Sequence, residues 1–79
     1  MTPILELAYK KHSDWNNIVK SFGCNSSMSE DVVMEMYIQL DADVKKGLDL
    51  YYKDQINHYY CYKVLRGIYT NLYKSSLRQ

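Results

Sequence analysis

Apolar residues recur at three- and four-residue intervals through the middle of the chain, at Val33, Met36, Tyr37, Leu40 and Val44. This spacing predicts an amphipathic helix whose apolar stripe packs against the rest of the molecule. Ser27 and Glu30 have the spacing of a capping box, in which each side chain satisfies a free backbone N–H at the helix start. Because Gly47 is a natural stop, the predicted helix covers about residues 28–46.

The opposite side of this predicted helix is polar, with two exceptions. Asp31, Glu35 and Gln39 recur at intervals of four, and Met34 and Ile38 lie beside them. Apolar side chains that the core does not need, placed next to carboxylates, favour a partner-binding face. The alternative is a solvated face with two isolated apolar residues, which are ordinary on protein surfaces.

A first helix is predicted before this one. Thr2 is suited to its N-cap, the helix covers about residues 3–23, and Gly23 ends it. Ser13 is also a suitable cap, so the alternative is two helical pieces with a break near His12.

A last helix is predicted over about residues 55–77, with Asp54 as its N-cap, after a segment 48–54 that is either extended or a short helical turn. Its inward stripe is Cys61, Val64, Leu65, Ile68 and Leu72, with Tyr60 at the margin. Its outward side is Tyr59, Tyr62, Lys63, Arg66, Thr70 and Tyr73, continued by Lys74 and Arg78. Gly67 is unfavourable inside a helix, so it predicts either close packing or a bend.

The length of 79 residues limits the chain to one domain, spanning 1–79, and argues against a deep catalytic cleft. Three helices with short connections and one shared apolar seam predict a small all-α domain. Its predicted centre is Trp15, Phe22, Val33, Tyr37, Leu40, Val64 and Ile68.

The net charge of +1 hides an asymmetry along the chain. Residues 1–54 contain nine acidic and six basic residues, a net charge of −3, whereas residues 55–79 contain four basic residues and no acid. This separation predicts two surfaces with different partners, one of them a polyanion. Tyrosines interleaved with cations are suited to stack on unpaired bases and neutralise phosphates. The alternative is that these tyrosines complete a small core.

Enzyme motifs are absent from the sequence, and His12 and His58 each stand alone. Cys24 and Cys61 have no metal-binding spacing, so free thiols, no metal and no cofactor are expected. With no signal peptide and no apolar run of membrane-spanning length, the sequence predicts an intracellular protein without a membrane partner.

Two segments in order resemble the second conserved region of sigma-70 family transcription initiation factors. The first is residues 30–40, where Asp31, Glu35 and Tyr37 match the family pattern and Met34 stands where glutamine is usual. In that family, the polar face of this segment docks on the clamp helices of the beta-prime subunit of bacterial RNA polymerase.

The second segment is residues 60–72, which is similar to the aromatic and basic helix that reads the minus-ten promoter element and holds the melted strand. Tyr60, Tyr62, Lys63 and Arg66 fit it, while Gly67 and Asn71 replace a common asparagine and a common aspartate. The resemblance covers roughly residues 14–75 and lacks the second, helix-turn-helix domain that sigma factors usually add.

The resemblance implies a minimal, bacteriophage-encoded sigma-like factor acting in the cytoplasm of a bacterial host, with a second phage protein as a candidate further partner. It implies polymerase contacts by Asp31, Met34, Glu35, Ile38 and Gln39. It implies contacts with promoter DNA by Tyr59, Tyr62, Lys63, Arg66, Tyr69, Thr70, Tyr73, Lys74 and Arg78. Two alternatives stay open: a decoy that occupies the sigma site on polymerase, and a helical module that binds single-stranded nucleic acid. An enzyme is the least favoured class.

Overall fold

The computed structural model describes the backbone of residues 3–74 and the side chains of residues 3–72. Its elements are α1 Pro3–Tyr9, α2 His12–Ser21, α3 Ser26–Lys45, β1 Tyr51–Tyr52, β2 Gln55–Ile56 and α4 His58–Tyr69, followed by a π-helical turn over Thr70–Lys74. The predicted small all-α class is confirmed, with four α-helices in the described part in place of three. The structure also contains a short antiparallel pair of strands, β1 and β2, which was not predicted.

The predicted first helix is divided into α1 and α2, which is the alternative that placed a break near His12. Ser13 is not the cap, since α2 follows Lys11 and has no side-chain hydrogen bond at its start. Instead, Trp15 joins the two helices: its buried indole N–H donates to the Ala8 carbonyl at 2.7 Å. The predicted cap Thr2 lies outside the described residues.

The capping box predicted at the start of α3 is wrong. Asn25 is the N-cap, and its side-chain oxygen accepts from the Met28 N–H at 2.8 Å, so the helix begins at Ser26. The carboxylate of Glu30 turns instead to α2, where it accepts from Asn16 at 3.2 Å. A competing interhelical partner therefore overrides the local pattern. The predicted stop is confirmed, because Gly47 follows α3 with a φ of +91°.

Segment 48–54, which precedes α4, is extended and not a helical turn. Lys53 and Asp54 form a two-residue turn with φ values of +52° and +65°, which matches the twist of a tight hairpin, and Tyr51 and Tyr52 pair with Ile56 and Gln55. Asp54 is thus a turn residue, and its predicted role as N-cap is wrong. Asn57 caps α4 by accepting from the Tyr60 N–H at 3.0 Å.

The core lies where α2, α3 and α4 meet, with α1 and the hairpin covering one side. Most of the predicted centre is buried, namely Trp15, Val33, Tyr37 and Leu40, whereas Phe22, Val64 and Ile68 pack at its edge and are partly exposed. Leu72 was predicted to point inward but is exposed. A π turn holds an additional residue compared with an α turn, so residues after Tyr69 shift away from the inward stripe.

Candidate functional site

The exposed side of α3 brings four of the predicted polymerase-binding residues together. Asp31, Met34, Glu35 and Ile38, here called the α3 ridge, are all exposed, and the two apolar side chains are 54% and 62% accessible. Within the part of the chain that the structure describes, neither carboxylate forms an ion pair or a side-chain hydrogen bond. The ridge therefore offers unpaired negative charge beside unburied apolar surface.

Gln39, the fifth predicted residue, is exposed but has a different environment. Its amide donates to Oδ1 of Asp43 at 2.9 Å, and it borders a shallow cleft of about 230 Å³ together with Lys63 and Gly67 of α4. Gln39 thus lies at the junction of α3 and α4. A methyl group added at Gly67 would meet nothing within 4 Å, so close packing, one of the two alternatives predicted there, is not found, and α4 continues through Gly67 to Tyr69.

The junction between α3 and α4 contains a buried carboxylate. Asp43 is only 3% exposed, and it accepts hydrogen bonds from the Gln39 amide and from the Tyr60 hydroxyl. This hydrogen bond, together with burial and the nearby negative charge, raises the pKa of Tyr60 to about 12. The bond links side chains of two helices, α3 and α4. Asp43 follows Leu40 by three residues and so lies on the apolar stripe of α3. This position was the signal in the sequence that Asp43 is buried.

The outward side of α4 combines aromatic rings with cations. Tyr59, Tyr62, Lys63 and Arg66 are exposed and are here called the α4 face. Tyr59 is 69% accessible, and the Lys63 ammonium lies 5.5 Å from the centroid of its ring. The Arg66 guanidinium lies 5.2 Å from the ring of Phe22, the residue that follows α2, and the Tyr62 ring meets the same phenylalanine edge-on at 5.8 Å. Contacts with the end of α2 therefore hold part of this face in place.

The other predicted DNA-binding residues are less available. Tyr69 and Thr70 are partly buried: the Tyr69 ring lies 5.4 Å from that of Phe22, and the Thr70 hydroxyl donates to the Arg66 carbonyl at 2.9 Å. These two residues lie at the margin of the α4 face. The predictions for Tyr73, Lys74 and Arg78 fall on side chains outside the described residues.

The hairpin extends the aromatic surface in a way that sequence reasoning missed. Tyr52 of β1 lines a concavity of about 590 Å³ together with Asn57, His58, Tyr59 and Tyr62. The ammonium of Lys53, at the hairpin turn, lies 5.3 Å from the Tyr52 ring. The run of two tyrosines and a lysine at 51–53 was the available signal. Tyrosines of both the hairpin and α4 thus line this concavity.

The isolated histidines have structural neighbours. Nδ1 of His12 lies 2.7 Å from the Tyr37 hydroxyl, and its Nε2 lies 3.5 Å from a Glu30 oxygen. Burial, with smaller contributions from nearby groups, raises the pKa of Tyr37. The His58 ring packs on Trp15, 4.9 Å between centroids. Tyr37, which matches the sigma pattern, is therefore part of the interhelical packing and not of the α3 ridge.

Both cysteines are free and buried. Burial raises the pKa of Cys24, and it raises that of Cys61 to about 12, so both side chains are neutral thiols near pH 7. Over residues 3–74, no cluster of three or more metal-ligating side chains occurs. No helix in the same range has the length and apolar character needed to cross a membrane.

Comparisons with protein-family models, curated proteins and solved structures gave no match. No similar protein therefore supports a function for this chain.

Proposed function

We propose that this protein is a minimal sigma-like transcription factor, which binds bacterial core RNA polymerase through the α3 ridge and engages promoter DNA through the α4 face. The observation that carries the proposal is the presence of two exposed surfaces of opposite charge on adjacent, packed helices. The carboxylates of the α3 ridge pair with no described residue, and the α4 face has cations with no acidic residue after residue 54 in the sequence. The order of the two surfaces along the chain is the order in the sigma resemblance.

The α3 ridge suits a basic protein partner. Met34 and Ile38 supply apolar area that becomes buried on docking, and Asp31 and Glu35 can pair with lysine or arginine of the partner. Exposed carboxylates near apolar anchors also set orientation and exclude acidic partners, because like charges repel. Met34 replaces the polar residue usual in sigma factors, so here more of the contact is apolar.

The α4 face suits melted DNA. Stacking of a base on an aromatic ring contributes about 1–3 kcal/mol, and Tyr59 and Tyr62 are both accessible for it. Each phosphate neutralised by Lys63 or Arg66 releases counterions, which makes affinity fall with salt by roughly 0.7 log units per tenfold salt increase on single strands. With so few contacts, the α4 face binds DNA only weakly in the absence of polymerase. Polymerase supplies the remaining affinity by raising the local concentration of DNA at this face.

Binding to core polymerase tests the first half of the proposal. The wild type is expected to bind, and Glu35→Arg is expected to weaken binding at least about tenfold, since the reversed charge faces a basic partner. Asp14→Arg, which reverses an exposed carboxylate on α2, is the matched control and should bind like wild type. Absence of wild-type binding, or equal binding by the two variants, would show that the α3 ridge is not a polymerase site.

The competing function is a decoy that occupies the sigma site without reading DNA. Its support is the small cationic content of the α4 face, where two of the predicted contact residues, Tyr69 and Thr70, are partly buried. Transcription with core polymerase separates the two. A sigma-like factor yields promoter-dependent transcripts that fall in Tyr59→Ala and Lys63→Ala, whereas a decoy yields none from any template and displaces host sigma. DNA affinity without polymerase binding would instead indicate a nucleic-acid module.

A further inference from the structure

The α3 ridge and the α4 face have the same spacing along their helices. In each, the residues lie at positions i, i+3, i+4 and i+7, which places them in one strip along one side of the helix. Each strip is about 10 Å long, since an α-helix rises about 1.5 Å per residue. The α3 ridge alternates acidic and apolar residues, whereas the α4 face has two tyrosines followed by two cations. Strips of equal length and unlike chemistry therefore lie exposed on one molecule.

The charged residues of both surfaces lack a partner of opposite sign within the described part of the chain. The ion pairs found there involve other residues. The Lys63 ammonium and the Arg66 guanidinium lie 5.5 Å and 5.2 Å from the centroids of aromatic rings of the same molecule. An aromatic ring positions a cation but does not neutralise it, because the ring carries no net charge. Both surfaces therefore keep their charge for a partner outside the molecule.

The two surfaces complement each other when they meet in an antiparallel arrangement, one from each of two copies. Asp31 then lies opposite Arg66 at one end, and Ile38 lies opposite Tyr59 at the other, because the spacing of both surfaces is the same in reverse. A parallel arrangement instead places Asp31 on Tyr59 and Ile38 on Arg66, so a charge at each end stays unpaired. The antiparallel arrangement is therefore the one that matches opposite charges and places apolar residues on aromatic rings.

The central residues match in the same arrangement. Glu35 and Lys63 lie within one residue of each other along the contact, and Met34 lies beside Tyr62. Because Met34 is 54% exposed and Tyr62 is 38% exposed, the contact removes apolar area from water at its centre. Two α3 ridges, or two α4 faces, do not fit each other in this way, since they place carboxylates against carboxylates or cations against cations.

We infer that this protein associates with a second copy of itself by antiparallel packing of the α3 ridge of one copy on the α4 face of the other. The partner is this chain, so the inference does not depend on the proposed function. A surface covered by a second copy is closed to any other partner, so self-association competes with the binding of polymerase or DNA. Exposed ion pairs each contribute little and are screened by salt, which makes this association weak and sensitive to ionic strength.

Sedimentation velocity of the purified protein tests the inference. At low salt, the average sedimentation coefficient should rise as the protein concentration approaches about 1 mM, where even a contact with a Kd of about 1 mM is substantially formed. The rise should disappear at about 1 M salt, where the Debye length is only about 3 Å.

Exchange of the two central charges identifies the contact. Glu35→Lys and Lys63→Glu should each weaken association at least about fivefold, because each places like charges next to each other. The double variant exchanges the two charges and should associate within about threefold of wild type. Asp14→Lys and Lys10→Glu are matched controls, since they change the net charge equally at exposed positions on α2 and in the turn after α1. Both should associate as wild type.

Three results would overturn the inference. The first is a wild type that stays monomeric at low salt up to the highest concentration, which leaves polymerase binding unaffected because that assay has a different partner. The second is association that neither charge reversal weakens. The third is a double variant that associates as weakly as the single variants, since the two charges then do not meet. Helical circular dichroism of each variant separates a loss of association from a loss of folding.

Discussion

The hydrogen bond between Tyr60 and the buried Asp43 carboxylate should be a major contributor to stability, and Tyr60→Phe removes it while keeping the ring. Asp43 is 3% exposed, so water cannot readily replace the missing donor. The Gln39 amide would remain as the donor to the other carboxylate oxygen. The variant therefore leaves a buried carboxylate with one hydrogen bond fewer. Loss of a hydrogen bond to a buried charged group lowers the free energy of unfolding more than most changes of a single atom.

The strength of the hydrogen bond and the raised pKa of Tyr60 both bear on the size of this loss. A hydrogen bond to a charged group contributes about 1.5–3 kcal/mol. Raising the pKa of Tyr60 from 10.0 to about 12 corresponds to an upper bound of about 3 kcal/mol, at about 1.4 kcal/mol per pH unit, since burial contributes to the change as well as the bond. We expect Tyr60→Phe to lower the free energy of unfolding by about 2 kcal/mol, which for a domain of this size lowers Tm by roughly 8–16 °C.

Urea denaturation followed by circular dichroism measures this change, with Tyr62→Phe as the control. Tyr62 lies two residues away on the exposed side, and its hydroxyl has no hydrogen bond to a described residue, so the control should change stability by less than about 0.5 kcal/mol. A Tyr60→Phe variant as stable as Tyr62→Phe would refute the assignment of this bond.

The pH dependence gives a second check on the same bond. Because folding raises the pKa of Tyr60, its contribution is complete below the unfolded value of 10.0 and disappears as the pH rises to about 12. The stability difference between wild type and Tyr60→Phe should therefore be constant near neutrality and shrink over pH 10–12. The buried Cys61, whose charge is the smallest of the causes that raise the pKa of Tyr60, also titrates in this range in both proteins. A difference that does not change with alkaline pH would contradict the argument.

Three further predictions concern two glycines and the N-cap of α3, and urea denaturation measures the stability change in each of them. Gly67→Ala should raise the free energy of unfolding by up to about 1 kcal/mol, since the methyl group meets nothing within 4 Å and alanine favours a helix. Gly23→Ala should lower it by about 1 kcal/mol or more, because φ is +108° there. Asn25→Ala should cost about 1 kcal/mol through loss of the α3 cap, whereas Ser27→Ala should change stability by less than about 0.5 kcal/mol.

Each of these predictions has a contradicting result. A destabilised Gly67→Ala would mean that its surroundings are tighter than the open cleft described. Equal stability of Gly23→Ala and wild type would argue against the left-handed turn after α2. A larger loss for Ser27→Ala than for Asn25→Ala would restore the capping box that the sequence predicts.

The sequence alone determined the main features of α3. The spacing of Val33, Met36 and Leu40 predicted which side is buried, and it left Met34 and Ile38 on the exposed side, where the structure has them. Gly23 and Gly47 predicted two helix ends, and both follow helices with positive φ. These features depend on residues within a few positions of one another, because helix periodicity and chain reversal are local properties.

The tertiary structure decided the features that join distant parts of the chain. Glu30 leaves the predicted capping box for Asn16, which is 14 positions away. The buried Asp43 carboxylate accepts a hydrogen bond from the hydroxyl of Tyr60, which is 17 positions away. The ring contact between Tyr9 and Tyr37, 28 positions apart, exists only because α1 packs beside α3. The local sequence offers each polar side chain several hydrogen-bond partners of similar energy. A buried polar group without a partner is costly, so tertiary packing decides which partner it takes, near or far along the sequence.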